Sequence, residues 1–221
     1  MVDFDLVIMI AASWLIYFLL HSLLASLAVK SIVVRHYPSA MPWYRLGFNF
    51  IAIVGLIIPL WLTFSRASDY LYHWQGWSFW VANSLTVLAL AGFAWSLMFY
   101  DGQEFLGLKQ IKMKARSIED QESFKLSPLH RYTRHPWYFL GLLLIWSREM
   151  NIYMLTSAVF MTLYFWVGSK LEEKKLLVYH GDQYKTYMQK VPGLIPLPWK
   201  FLTRVEAGRL INKSASGIRS N

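Results

Sequence analysis

Long apolar runs without charged residues constrain this chain more than any other feature. Residues 6–29, 46–64 and 79–100 contain no Lys, Arg, Asp or Glu. At about 1.5 Å per residue, each run is long enough to cross a hydrocarbon core of ~30 Å as a helix. Two further apolar runs, 136–147 and 152–168, are separated by a short polar turn. The chain is therefore predicted to be an all-α integral membrane protein with about five membrane helices.

The last two runs predict a helical hairpin whose first arm is short. Pro136 suits the first position of a helix, where its missing N–H costs no hydrogen bond. The run that it opens gives only about 18 Å of helix, which is too short to cross a bilayer alone. Arg134 and His135 precede this arm, and Glu172 and Glu173 follow the second arm. Polar groups are therefore expected at both open ends of the hairpin, on the same side.

The distribution of positive charge predicts the orientation. Of the 22 Lys and Arg residues, all except Arg66 and Arg148 lie in three segments. These are the loop after the first run, the connection after the third run, and the tail from Lys170 onward. The positive-inside rule makes that side the cytoplasm, with the N-terminus outside and the C-terminal tail inside. Because the basic residues flank apolar runs, the net charge of +9 favours contact with anionic lipid over nucleic acid. The absence of cysteine excludes disulfides, thiolate metal sites and a cysteine nucleophile.

The same pattern divides the chain into four regions. Residues 1–100 are predicted to form a three-helix membrane region, and residues 101–133 a cytoplasmic interfacial connection. Residues 134–200 are expected to form the hairpin and a cofactor-binding region. Residues 201–221 are predicted to be a mobile basic tail.

The residues at the open ends of the hairpin have the chemistry to bind a zwitterion that carries a purine. A carboxylate binds an ammonium group, and arginine or histidine binds a carboxylate. Aromatic faces pack against a sulfonium or an adenine. The tyrosines that the chain places nearby are Tyr132, Tyr138, Tyr184 and Tyr187. The competing interpretation is an interfacial anchor, in which these side chains extend to lipid headgroups.

Three spaced motifs carry a family resemblance. R-Y-x-R-H-P-x-Y-x-x-G begins at Arg131, E-E-x-x-L begins at Glu172, and H-G-x-x-Y-x-x-Y-x-x-x-V-P-x-L-I-P begins at His180. They resemble the isoprenylcysteine carboxyl methyltransferase superfamily, integral membrane methyltransferases that use S-adenosylmethionine. HSLLAS from His21, YRLGFN and EFLGLKQ, the last from Glu104, are similar to the branch of NnrU and methanethiol S-methyltransferase.

The resemblance implies roles for particular residues. The residues implied to bind S-adenosylmethionine are Tyr132, Arg134, His135, Pro136, Tyr138, Gly141, Glu172, Glu173, Leu176, Tyr184 and Tyr187. Apart from the resemblance, the chemistry of methyl transfer leads us to expect that Arg134, His135 and Glu104 are catalytic and that His21 and Gln110 border the methyl acceptor. No metal is expected. The acceptor is expected to be lipophilic, either a small thiol or the carboxylate of a prenylcysteine or lipid, reached from the bilayer. The implied location is the bacterial inner membrane, with the active site facing the cytoplasm.

Three alternatives stay open at the level of sequence. Sterol-reductase-like enzymes share part of the C-terminal pattern but use NADPH; the spacing to Gly141 and the glutamate pair favour a methyltransferase. His130 and His135 form an H-x4-H pattern, as in di-iron oxygenases, but no H-x-x-H-H accompanies it. An NnrU-type accessory protein without enzymatic activity is the third alternative.

Overall fold

The structure, a computed structural model, describes residues 2–115 and 126–217. Its helices are α1 (Phe4–Ala25), α2 (Leu27–His36), α3 (Met41–Phe64), α4 (Trp77–Leu97), α5 (Gly102–Leu106), α6 (Leu108–Lys112), α7 (Pro136–Trp146), α8 (Ile152–Lys190) and α9 (Arg204–Gly217). A 3-10 turn covers Pro128–Arg131, and two short strands, β1 (Tyr70–Tyr72) and β2 (Met150–Asn151), pair antiparallel.

The prediction of an all-α integral membrane protein is confirmed. Among the described residues, α1, α3, α4 and α8 are long and apolar enough to cross a membrane, and α7 is a shorter apolar helix. In α8 we take the uncharged first part, residues 152–168, as the membrane-spanning part. The cytoplasmic orientation and the four-region division remain predictions.

The first membrane helix ends earlier than the apolar run predicts. Ser26 has an extended backbone (φ −70°, ψ 150°), which stops α1 at Ala25. Its hydroxyl then accepts a hydrogen bond from the Val29 N–H at 3.3 Å and caps α2. Serine favours such a position because its side chain replaces a missing backbone partner at a helix start. The apolar run therefore divides into a membrane helix and a separate short helix.

The packing of α8 and α7 brings their polar ends to one end of the bundle. The first part of α8 packs on α1 and α3 around Trp14, whose indole N–H donates to Ser157 Oγ at 2.8 Å. α7 packs on α4 so closely that a Cβ at Gly92 would lie 2.9 Å from Leu140. The Trp137 indole N–H also donates to Ser96 Oγ at 2.9 Å. These contacts place the start of α7 beside the charged second half of α8.

The C-terminal part of the chain folds back over that end. Gly181 interrupts α8 with a φ of +48°, a backbone conformation that residues with a side chain rarely adopt. Beyond α8, the carbonyls of Pro192 and Gly193 accept hydrogen bonds from the backbone of Arg134 and His135. Within the segment from residue 201, which the sequence predicts to be mobile, the structure has the helix α9 after the buried Leu202, and residues 218–221 lie outside the described residues.

Candidate active site

Arg134 is the central link of the site. Its Nε and Nη2 donate to Glu173 Oε1 at 2.9 and 2.6 Å, and both side chains are almost fully buried. Its Nη1 donates to the carbonyls of Met188 and Val191 at 2.9 and 2.7 Å. These two carbonyls have no partner within the helix, because α8 ends here: Val191 precedes a proline and has an extended backbone. Arg134 therefore joins the middle of α8 to its end, and its charge is offset by Glu173.

His135 lies between the two glutamates. Its Nε2 is 3.1 Å from Glu173 Oε1, and its Nδ1 is 3.4 Å from Glu172 Oε2. The Tyr138 hydroxyl donates to the same Glu172 oxygen at 3.0 Å. The rings of His135, Tyr138 and Phe165 form a stack with centroid distances of 5.3 and 5.0 Å. The stack and the hydrogen bonds hold the imidazole in one orientation.

The charged forms of this cluster are favoured. Burial alone would lower the pKa of His135, but hydrogen bonds with Glu172 and Glu173 outweigh burial and raise it. Burial alone would raise the pKa of Glu173, but hydrogen bonds from His135 and Arg134 lower it to about 2. The same competition lowers the pKa of Glu172, with His135 and Tyr138 as the hydrogen-bond donors. A protonated histidine between two carboxylates is therefore stabilised here.

A cavity of about 330 Å³ lies beside this cluster. This volume is within the range of small-molecule sites. The lining combines carboxylates, cationic groups and aromatic rings: Arg45, Tyr100, Asp101, Glu104, Phe105, Leu126, His130, Arg134, His135, Pro136, Trp137, Tyr138, Glu172, Leu176, His180, Tyr184 and Tyr187.

Most of the residues that the sequence singled out meet at this cavity. Those that line it are Glu104, Arg134, His135, Pro136, Tyr138, Glu172, Leu176, Tyr184 and Tyr187. Glu173 is not among the lining residues; it holds Arg134 and His135 from the protein side. The two glutamates therefore differ in place, although they are neighbours in the chain.

Tyr132 and Gly141 do not line the cavity. Tyr132 stacks on Phe201 at a centroid distance of 5.9 Å, has the Arg131 guanidinium 5.4 Å from its ring centroid, and is 45% exposed. A Cβ at Gly141 would lie 3.1 Å from the Phe165 ring, so this glycine allows α7 and α8 to approach closely. The structure thus gives Gly141 a role in helix packing, and its role in binding S-adenosylmethionine stays a prediction.

The two residues expected at the acceptor, His21 and Gln110, also lie apart from the cavity. His21 Nδ1 and the Tyr164 hydroxyl are 2.5 Å apart, and His21 faces a separate space of about 10 Å³. Gln110 is buried in α6, where its Nε2 donates to the Glu104 carbonyl at 3.3 Å. Both side chains therefore join helices to each other.

Several lining residues were not selected from the sequence. Arg45 lies within YRLGFN, and its Nε donates to the Phe105 carbonyl at 3.1 Å. Asn49 donates to the same carbonyl at 3.0 Å, so α5 is held against α3 and Phe105 faces the cavity. The signal in the sequence was the resemblance of both segments to one family branch. Nothing in the spacing indicated that they meet the C-terminal motif.

His130 is a second lining residue that the site prediction omitted. The backbone N–H of Ser127 donates to His130 Nδ1 at 3.2 Å, which leaves the ring proton on Nε2. Burial lowers the pKa of His130 to about 4, so the ring is neutral near pH 7. Among the described residues, no group of three or more His, Asp or Glu is placed to hold a metal ion. The H-x4-H pair thus serves two separate hydrogen-bond networks.

Comparisons with known proteins point to one kind of enzyme. The chain is 27% identical to the methanethiol S-methyltransferase of Crocosphaera subtropica over 195 residues, which is 82% of this chain and 71% of the relative. It is 32% identical to methanethiol S-methyltransferase 1 of Bradyrhizobium diazoefficiens over 123 residues, 52% of this chain and 42% of the relative. It is 26% identical to the enzyme of the same name from Mycobacterium tuberculosis over 193 residues, 80% of this chain and 73% of the relative. No family model and no solved structure matches the chain.

The resemblance to the membrane methyltransferases of the isoprenylcysteine carboxyl methyltransferase type is thereby confirmed. The names of the relatives support a membrane methyltransferase. The alignment with the Bradyrhizobium relative spans less than half of that protein's length, and the others span about seven tenths.

Proposed function

We propose that this chain, a relative of the methanethiol S-methyltransferases, is a membrane methyltransferase that transfers a methyl group from S-adenosylmethionine to a small lipophilic thiol. The observation that carries the proposal is the cavity of about 330 Å³. The motifs that carry the family resemblance supply one wall, and the α3 and α5 segments similar to the methanethiol branch supply part of the other.

The residues present fit S-adenosylmethionine. Glu172 lines the cavity with a side chain that is 38% exposed, so its carboxylate is accessible to an ammonium group. Tyr138, Trp137 and Tyr184 add aromatic faces suited to a sulfonium or an adenine. When bound, the cofactor supplies a methyl group already activated on a sulfonium.

The chain's own residues would then orient the reactants. Arg134 is a positioning residue, because its guanidinium donates to Glu173 and to the carbonyls at the end of α8, and Glu173 offsets its charge. His135 and Tyr138 hold the Glu172 carboxylate at Oε2 and so fix its position at the cavity. Methyl transfer depends mainly on alignment and the exclusion of water, which a rigid, partly enclosed cavity favours.

Arg45 is the residue that we assign to the acceptor. It brings a positive charge to the cavity from α3, and Glu172 lines the same cavity from α8. A thiol with a reference pKa of about 8.5 reacts as its thiolate, and a nearby cation favours that form. In this proposal Arg45 takes the catalytic role that the sequence predicts for Arg134. The names of the relatives favour a thiol over a carboxylate acceptor.

Titration calorimetry with S-adenosylhomocysteine tests the cofactor site. The variant is Glu172→Gln, which removes the charge but keeps the shape of the side chain. The matched control is Glu149→Gln, a carboxylate of similar exposure (35%) beside β2. We expect tight binding by the wild type and the control, and about tenfold or greater weakening in Glu172→Gln. A folded wild-type protein that binds no S-adenosylhomocysteine would reject the proposal.

Turnover with methanethiol and with a prenylcysteine tests the acceptor. We expect methylation of the thiol, with a rate that rises with pH as the thiol ionises. In Arg45→Gln the rise should shift to higher pH while S-adenosylhomocysteine affinity is retained. Methylation of the prenylcysteine alone would keep the methyltransferase and remove the thiol from the proposal.

A further inference from the structure

A second surface of interest lies outside the membrane helices, in residues 195–211, which we call the C-terminal platform. It exposes large apolar side chains: Trp199 is 79% exposed, Ile195 64% and Val205 63%. The solvent-facing part of a protein rarely exposes adjacent apolar groups of this size unless they contact a membrane or a partner. Apolar side chains on the membrane helices are exposed because they contact lipid, but these three residues lie outside those helices.

The platform is a packed element and not a frayed end. Leu202 is fully buried in a cluster with Tyr184, Tyr187, Val191 and Ala207. The first turn of α9 is capped, because Glu206 Oε2 accepts hydrogen bonds from the N–H and the hydroxyl of Thr203, both at 2.9 Å. Lys190 Nζ pairs with Glu206 at 2.6 Å and ties α9 to the end of α8. The exposed apolar side chains are therefore held on a fixed support.

The support lies at the level where α7 starts. The Leu202 N–H donates to the Arg131 carbonyl at 2.9 Å, and Arg131 Nε donates back to the Leu202 carbonyl at 2.8 Å. Tyr132 stacks on Phe201. Tyr132 and Arg131 lie four and five residues before Pro136, the first residue of the apolar helix α7. The platform is thus attached close to the edge of the apolar layer that α7 enters.

The charge of the platform is positive. Lys200, Arg204 and Arg209 alternate with the apolar residues, and α9 places Arg204 and Arg209 in solvent. The one acidic residue of the segment, Glu206, is paired with Lys190. Aromatic and apolar side chains mixed with basic residues are the composition of interfacial segments that bind anionic lipid surfaces.

We propose that the C-terminal platform docks on anionic phospholipid headgroups of the membrane that holds the protein, with Ile195, Trp199 and Val205 at the acyl boundary. Its basic residues face the phosphates, and the negative charge of the leaflet attracts each of them.

The absence of cysteine makes this proposal easy to test, because one introduced cysteine is the only thiol. Ile195→Cys carries an environment-sensitive fluorophore in full-length protein reconstituted into nanodiscs of phosphatidylcholine, with or without phosphatidylglycerol. Nitroxide-labelled lipid is the quencher. The matched control is Val178→Cys, an exposed apolar position (73%) on α8, about 15 Å beyond residue 168.

We expect strong quenching at position 195 in anionic discs, weaker quenching in neutral discs, and little at position 178. The pair Lys200→Gln and Arg204→Gln, on the labelled background, should lower the docked-to-undocked ratio by about fivefold per charge. Trp199→Ala should lower it as well. Melting curves of each variant verify the fold.

Equal quenching at positions 195 and 178 in anionic discs would overturn the proposal. Quenching at 195 that is indifferent to phosphatidylglycerol would overturn the role of anionic lipid. Shielding of position 195 from aqueous iodide in detergent, rising with protein concentration, would indicate a second copy of the chain instead of lipid. None of these readouts depends on cofactor binding, so their failure is separate from failure of the methyltransferase proposal.

Discussion

Each end of the helical bundle has an ion pair, and the two pairs differ in their exposure to solvent. At the site end, the side chains of Arg134 and Glu173 are only 8% and 4% exposed. At the opposite end, where α1 and α8 start, the side chains of the paired Arg66 and Asp3 are 64% and 30% exposed. Solvent screens the second pair, whereas the first has lost its hydration and depends on its partners.

The difference extends to what surrounds each pair. At the opposite end, the polar turn between α7 and α8 is closed by hydrogen bonds: Tyr72 to the Arg148 carbonyl at 2.9 Å, and the Trp74 N–H to Glu149 at 3.2 Å. At the site end, Glu172 instead lines a cavity. A closed turn stabilises the hairpin, while a buried network with one accessible carboxylate can bind a ligand.

The largest expected effect is the loss of Glu173. Glu173→Ala leaves the buried Arg134 guanidinium without its counter-ion, and we expect a loss of about 3–5 kcal/mol of unfolding free energy. Denaturation in detergent, followed by far-UV circular dichroism, measures it. A loss no greater than that of an exposed pair would show that water reaches Arg134 and would remove the contrast between the two ends.

Substitution of two glycines tests how closely the helices α7 and α8 of the hairpin must pack. Gly141→Ala would place a Cβ 3.1 Å from Phe165, and overpacking of this kind costs about 1–3 kcal/mol. Gly168→Ala, on α8, has nothing within 4 Å and should be neutral or stabilising. Melting temperatures of both variants decide. If Gly141→Ala keeps stability but loses S-adenosylhomocysteine binding, the glycine serves the ligand and not the packing.

The pH dependence of stability should come from the site end. The pKa of His135 is raised on folding, so its contribution is complete below about pH 6.5 and is lost as pH rises through the folded pKa. The pKa of Glu173 is lowered to about 2, so its contribution is complete above about pH 4.5 and is lost as pH falls toward 2. Melting temperature should therefore fall above neutral pH. His135→Asn should flatten this fall; an unchanged slope would assign it to another group.

The smallest effect is expected at the opposite end. Arg66→Ala removes an exposed partner of Asp3, and we expect a change of about 0–1 kcal/mol that shrinks further in high salt. The same denaturation assay applies. A cost that approaches the cost of Glu173→Ala would mean that both ends are equally sensitive.

Much of the architecture could be predicted because it depends on local composition. Apolar runs without charges indicate membrane helices wherever they occur, and Pro136 marks the start of α7. The end of α1 at Ser26 was harder, because the serine lies inside an otherwise apolar run and its capping bond forms only with a particular backbone conformation. The helix α9 was missed because its stability comes from Leu202, which is buried by residues distant in sequence.

The roles within the candidate site could be predicted only in part. Neighbouring residues of a helix point about 100° apart. Glu173 therefore turns toward Arg134, while Glu172 turns toward the cavity. No motif distinguishes the two, since both follow the apolar run. His21 and Gln110 were predicted to border the acceptor, and the structure places both in contacts between helices.

The sequence by itself determined that this is an all-α membrane protein and which charged and aromatic residues belong to the C-terminal motif. These properties follow from local hydrophobicity and from the order of residues along the chain. Only the tertiary structure decided that Arg45 and Glu104 meet that motif at one cavity and that Arg134 is held by Glu173. The physical reason is that the cavity wall is assembled from helices that are distant in sequence, and their relative rotation and depth are set by packing.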